Sequence, residues 1–158
     1  MPPHIGHVKL ITQAANQCEL LYVVMAEDPM LSAQSCRNAG LEPIPAEVRL
    51  DWLRKHFAEY TNIRFLYLDE TDIPPFPDVD QWCAKFRALV PHPIDAKFIG
   101  EEKYIEMNQT HFPECAIYMV KRGVDSPPVS ASQILADPRG CIHQVIPTAK
   151  EYFSGIKI

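Results

Sequence analysis

The chain has 158 residues, of which 47 % are hydrophobic and 22 % charged, with a net charge of −5. That length suits one domain, residues 1–158, around one core. The acidic balance speaks against a nucleic-acid partner, and no apolar run approaches the roughly 20 residues of a membrane span.

Fifteen prolines cluster in 43–45, 74–77, 91–93 and 127–128, which reads as rigid loops between elements. The five cysteines, Cys18, Cys36, Cys83, Cys115 and Cys141, form no CxxC pair and are odd in number. They read as reduced thiols of a cytoplasmic protein rather than a disulfide framework. The N-terminus carries no charged-then-apolar signal pattern.

In chain order, His4-Ile5-Gly6-His7 comes first, and Val8, Ile11 and Ala15 then share one face of a short helix. Leu20 to Met25 is a continuous apolar run, the mark of a strand buried on both faces. Residues 28–46 read as polar and irregular. Val48, Trp52, Leu53 and Phe57 give an apolar helical face within Ala46 to Tyr60. Ile63 to Leu68 is the next strand, followed by a proline-rich loop over 69–79. Asp80 is placed to cap a helix through Leu89. Ala96 to Ile99 reads as a strand with a short helix around Tyr104, and Cys115 to Val120 as another strand. Ser130 is placed to cap a helix through Leu135, and Pro147 to open a terminal helix reaching Phe153. Strands alternating with helices predict an α/β fold with a parallel sheet.

The first motif carries chemistry. Two histidines at the mouth of a helix can donate hydrogen bonds to phosphate oxygens, where free N–H groups and the helix dipole add attraction. Gly6 would let phosphates approach the backbone. Phosphoryl and nucleotidyl transfer need mainly positioning and charge stabilisation, which such a turn can provide. The alternative is a chance tetrapeptide.

Pro2-Pro3-His4-Ile5-Gly6-His7-Val8-Lys9-Leu10-Ile11 is similar to the HxGH signature of the nucleotidyltransferase superfamily. More of the chain resembles the nicotinamide mononucleotide (NMN) adenylyltransferase domain of the bifunctional bacterial transferase/ribosylnicotinamide kinase family. The segments are Arg37-Asn38-Ala39-Gly40-Leu41 with Arg49; Leu68 to Pro74 with Pro77 and Trp82; Gly100-Glu101-Glu102-Lys103-Tyr104; Val129-Ser130-Ala131-Ser132-Gln133-Ile134; and Ile146-Pro147 to Phe153.

The resemblance implies a Rossmann-like parallel sheet with helices on both faces. It implies ATP and NMN as partners, Mg²⁺ as cofactor, and NAD and pyrophosphate as products. It makes His4 and His7 catalytic, puts Gly6, Ser130 and Ser132 on the ATP phosphates, and puts Trp82 and Arg37 on the other substrate. It assigns no protein metal site and leaves a homo-oligomer open.

Two departures accompany it. Leu135 stands where the family carries an arginine, and the strand that the family places ahead of its histidines is missing, an expectation that makes Met1 an internal start or the chain a fragment. Nicotinamide and nicotinate mononucleotide both stay open as substrates. Two other readings also stay open. One is a catalytically impaired nucleotide-binding relative. The other is a fragment of a class I aminoacyl-tRNA synthetase, which would need a KMSKS-like lysine loop that this sequence lacks.

Overall fold

The computed structural model describes residues 2–74 and 79–155. Pro77, part of the motif stretch above, lies outside the described residues.

Helix α1 spans Ile5–Ala15 and strand β1 Leu21–Glu27. Helices α2 (Pro29–Asn38) and α3 (Ala46–His56) lead to β2 (Ile63–Asp69). Helix α4 (Asp80–Leu89) precedes β3 (Ala96–Ile99), a 3₁₀ turn at Glu102–Tyr104, and α5 (Ile105–His111). Strand β4 (Ala116–Met119) and helix α6 (Ala131–Ala136) follow. A 3₁₀ turn at Pro147–Ala149 opens into α7 (Lys150–Ser154).

The strands are parallel, as the alternation predicts, and they form two pairs. β1 pairs with β2 from Leu21↔Ile63 to Glu27↔Asp69. β3 pairs with β4 from Ala96↔Ala116 to Ile99↔Met119. Helix α1 packs against both β1 and β3 and so spans the two pairs. Tyr22 of β1 adds a second tie, its hydroxyl lying 2.6 Å from Nδ1 of His92 in the segment leading into β3.

Three local expectations change. Residues 29–38, read as irregular, are helical, because Asp28 accepts hydrogen bonds from the N–H groups of Met30 and Leu31 and Pro29 stands at the first helical position. Asp80 is the first residue of α4 and not its cap, a position held by Val79; its charge still suits the helix N-terminus. Every residue of β1 is half-buried rather than buried, since among the described residues the strand has a ladder partner on one edge only.

The main core gathers Ile11, Trp52, Leu53, Phe57, Ile63, Val129, Ile134, Leu135, Ile146 and Phe153. It takes residues from α1, α3, β2, α6 and α7, so the start of α6 is fixed against α1. A smaller core of Cys83, Phe112 and Cys115 sits between α4, α5 and β4, with Trp82 and Phe86 against it. All five cysteines are unbridged. Among the described residues, no helix is long and apolar enough to cross a membrane.

Candidate active site

Four segments meet around the first turn of α1. His4 is its N-cap and is 3 % exposed. Its Nδ1 accepts from the N–H of Gly6 at 3.1 Å and of His7 at 3.4 Å. In return, Nδ1 of His7 accepts from the N–H of His4 at 3.3 Å. This is a capping box made of two histidines. The rings stack with centroids 3.8 Å apart at 19°.

The geometry sets the charge state. A ring nitrogen that accepts a hydrogen bond carries no proton, so each neutral ring holds its proton on Nε2. Burial pushes His4 down to about 3, helped by the neighbouring His7 and by Arg122. Burial and Arg122 push His7 down to about 4. At neutral pH the pair thus offers two uncharged N–H donors at a helix N-terminus, where the helix dipole already favours an anion.

Gly6 also meets a packing demand. A Cβ there would lie 3.0 Å from the His4 ring and 3.2 Å from Cγ1 of Val129. The Cβ direction is filled by those side chains. Glycine is required because the capping ring folds back over this residue.

The same contact brings α6 to the site. Ser130 is the N-cap of α6 in a second capping box with Gln133. Its Oγ accepts from the Gln133 N–H at 3.2 Å and donates to Gln133 Oε1 at 3.1 Å, so the helix already engages the hydroxyl. Ser132, the second residue of α6, is exposed. Leu135, where an arginine would serve the family pattern, is 4 % exposed in the main core.

The carboxyl ends of β3 and β4 supply charge. Arg122 Nη2 meets Glu101 Oε1 at 2.9 Å, and Lys121 Nζ meets Glu102 Oε1 at 2.6 Å. The carboxyl ends of β1 and β2 are acidic: Glu27, Asp28, Asp69 and Glu70 lie together. Arg49, named above only within a resemblance segment, is on α3 and 2 % exposed. It forms an ion pair with Glu27 and donates from Nε to the Ile44 carbonyl at 3.1 Å. Burial pushes the Glu27 carboxyl up, but its hydrogen bonds from Arg49 and Ser32 outweigh that and hold it below the usual range. A cavity of about 130 Å³ lies beside this pair, lined also by Tyr67 and Pro45.

The two residues expected on the second substrate lie on α4 and at the end of α2. Trp82 stacks on Phe86 at 5.0 Å and donates from Nε1 to Glu70 at 2.7 Å, which joins it to the small core and to the end of β2. Arg37 is exposed on the last turn of α2, 3.3 Å from Gln34. The sequence reading missed Arg49–Glu27 and the buried Lys97 of β3. Their one signal was a charged residue inside an otherwise apolar pattern.

The sequence is similar to those of known proteins. A family model for cytidylyltransferase-like proteins matches residues 2–137. The trifunctional NAD biosynthesis/regulator protein NadR of Escherichia coli is 28 % identical over 143 residues, 87 % of this chain and 34 % of that protein. Its counterpart from Salmonella typhimurium is 29 % identical over 91 residues, 56 % of this chain and 22 % of that protein. The chain thus spans about a third or less of the curated relatives it matches. With an α/β fold of parallel strands, paired histidines capping the first helix, and a match over most of its length, the chain belongs to the cytidylyltransferase-like family.

Proposed function

We propose that the chain transfers an adenylyl group from ATP to nicotinamide mononucleotide. The observation that carries this reading is the His4–His7 pair, whose Nδ1 atoms are committed to the backbone and whose Nε2–H groups are left for phosphate. The NAD-related name of the partial relatives supports the choice of nucleotide.

A phosphate oxygen of NMN attacks the α-phosphorus of ATP. The bond from that phosphorus to the β-bridging oxygen breaks, and pyrophosphate leaves with the electron pair. No proton has to move, so neutral donors suit the step: they hold the phosphates and strengthen as negative charge builds. His4 and His7 meet the triphosphate, and Ser130 and Ser132 border its far end. Trp82 and Arg37 remain the proposed contacts of the mononucleotide. Among the described residues, no three His, Cys, Asp or Glu side chains form a metal-ligating group. A magnesium ion would come with ATP, ligated by phosphate oxygens and water.

Incubating the chain with ATP, Mg²⁺ and either NMN or its nicotinate counterpart, with product dinucleotide and pyrophosphate followed by chromatography, tests this. Equal amounts of both products are expected. Nucleotide binding without product would favour the impaired-relative reading, which the core position of Leu135 supports.

A further inference from the structure

We propose that Arg122 is the cation that meets the nucleotide's phosphate charge, and that Glu101 holds it ready until a polyphosphate displaces the carboxylate. This rests on the nucleotide-binding reading of the same site and names the residue that supplies its charge.

The histidine turn offers donors but no net charge, because both Nδ1 atoms are tied up as acceptors of backbone N–H groups. The start of α6 adds none: Ser130 caps, and Leu135 is in the core. A triphosphate carries several negative charges, and neutral donors alone compensate them poorly. Arg122 stands just beyond the carboxyl end of β4, in the loop that runs through Ser126 to Val129, whose Cγ1 lies against Gly6 of the histidine turn.

A tight turn fixes its position. Gly123, at φ +79°, donates to the Ser126 carbonyl at 2.7 Å, and Arg122 forms a bridge with Ser126. The Lys121 N–H donates to Asp125 Oδ2 at 2.9 Å. The guanidinium itself is 44 % exposed, and its one carboxylate partner is also bound by Lys103 at 2.9 Å. A surface pair of this kind holds an orientation at little energetic gain. A phosphate, which a guanidinium grips through two parallel N–H groups, can therefore take the place of Glu101.

The test titrates the full chain calorimetrically with inorganic tripolyphosphate and with ATP·Mg²⁺, in the unmodified protein and in R122A, R122K and E101Q. Arg122 is exposed, and thermal unfolding of each variant confirms that it folds. R122A is expected to weaken both ligands about tenfold, the effect of one charge-assisted contact. R122K should recover part of the loss. E101Q should tighten both, because it removes a competitor and a repulsive charge, a change of sign that a structural role for the pair does not produce. Unchanged affinity in R122A, or weakened affinity in E101Q, overturns the inference and leaves adenylyl transfer standing. Polyphosphate binding through Arg122 with no dinucleotide formed supports the inference and sinks adenylyl transfer. No polyphosphate binding by the unmodified chain overturns both.

Discussion

The ammonium of Lys97 lies 3.4 Å from the centroid of the Phe112 ring and has no hydrogen-bond partner among the described residues. Phe86 and Trp82 complete a cage around it at 4.4 and 5.5 Å. The rings attract a cation, yet burial prevails and lowers Lys97 to about 8 from the usual 10.5. The folded pKa is below the unfolded one, so the charged form destabilises the fold fully below pH 8, and the penalty fades as pH rises from 8 to 10.5. Lys97→Met should therefore stabilise the protein at pH 7 by up to about 3 kcal/mol. The gain should vanish near pH 10.5. Urea denaturation of both proteins at pH 7 and pH 10 measures the difference, and a gain independent of pH would contradict the account.

The histidine pair works at the opposite end of the scale. His4 and His7 have folded values of about 3 and 4 against 6.5 when unfolded. Their contribution is complete above pH 6.5 and is lost as pH falls from 6.5 towards 4, where the unfolded chain takes up protons that the fold refuses. At pH 5 each histidine should cost the fold about 2 kcal/mol. His7→Gln should flatten the stability profile between pH 6.5 and 5. An equally steep profile in that variant would show that other groups carry the acid sensitivity.

Replacing His7 by alanine should also lower any adenylyl transfer by about 10²–10³-fold, the usual result of removing one transition-state donor. His4→Ala should cost about 1 kcal/mol of stability in addition, because it removes the cap of α1. Full turnover in His7→Ala would remove that residue from the mechanism.

The two serines of α6 separate structure from binding. Ser130→Ala removes a cap and should lower stability by about 1 kcal/mol. Ser132 is exposed and outside the capping box, so Ser132→Ala should leave the melting temperature unchanged. If Ser132 meets phosphate, that variant weakens ATP binding alone, and calorimetry with ATP·Mg²⁺ decides it.

Arg49 and Glu27 form a buried pair whose partners depend on each other. Arg49→Met should cost about 3–5 kcal/mol, since it leaves a buried carboxylate without its counter-ion. Glu27→Gln combined with Arg49→Met should recover a large part of that loss. A double variant as unstable as the single one would show that packing, rather than charge, sets the cost.

The sequence revealed most where periodicity or capping chemistry is local. β3 at Ala96–Ile99, the cap at Ser130 and the parallel α/β alternation follow from apolar runs and from residues that satisfy helix N–H groups. Helix α2 was hidden because Pro29 and the polar surface of 29–38 look like a loop unless Asp28 is recognised as its cap. The pairing of His4 and His7 at the mouth of α1 was readable from their spacing, whereas their tautomers were not. Those depend on which backbone N–H groups the rings face. The bearing of Arg122 on the histidine turn is a matter of tertiary distance, which local pattern does not carry. Lys97 and Arg49 were invisible as buried charges for the same reason.

The site also ties distant parts of the chain to one another. His4 bridges Val145, the Ile146 N–H donates to the Pro3 carbonyl at 3.5 Å, and Val129 lies against Gly6. Such long-range contacts close late, because the intervening loop entropy must be overcome before they form. The turn itself is local, but its ties to Val129, Val145 and Ile146 depend on the whole chain being folded. A nucleotide bound there would act as a clasp between residues more than a hundred positions apart, and its occupancy would be reflected in resistance of the whole chain to unfolding.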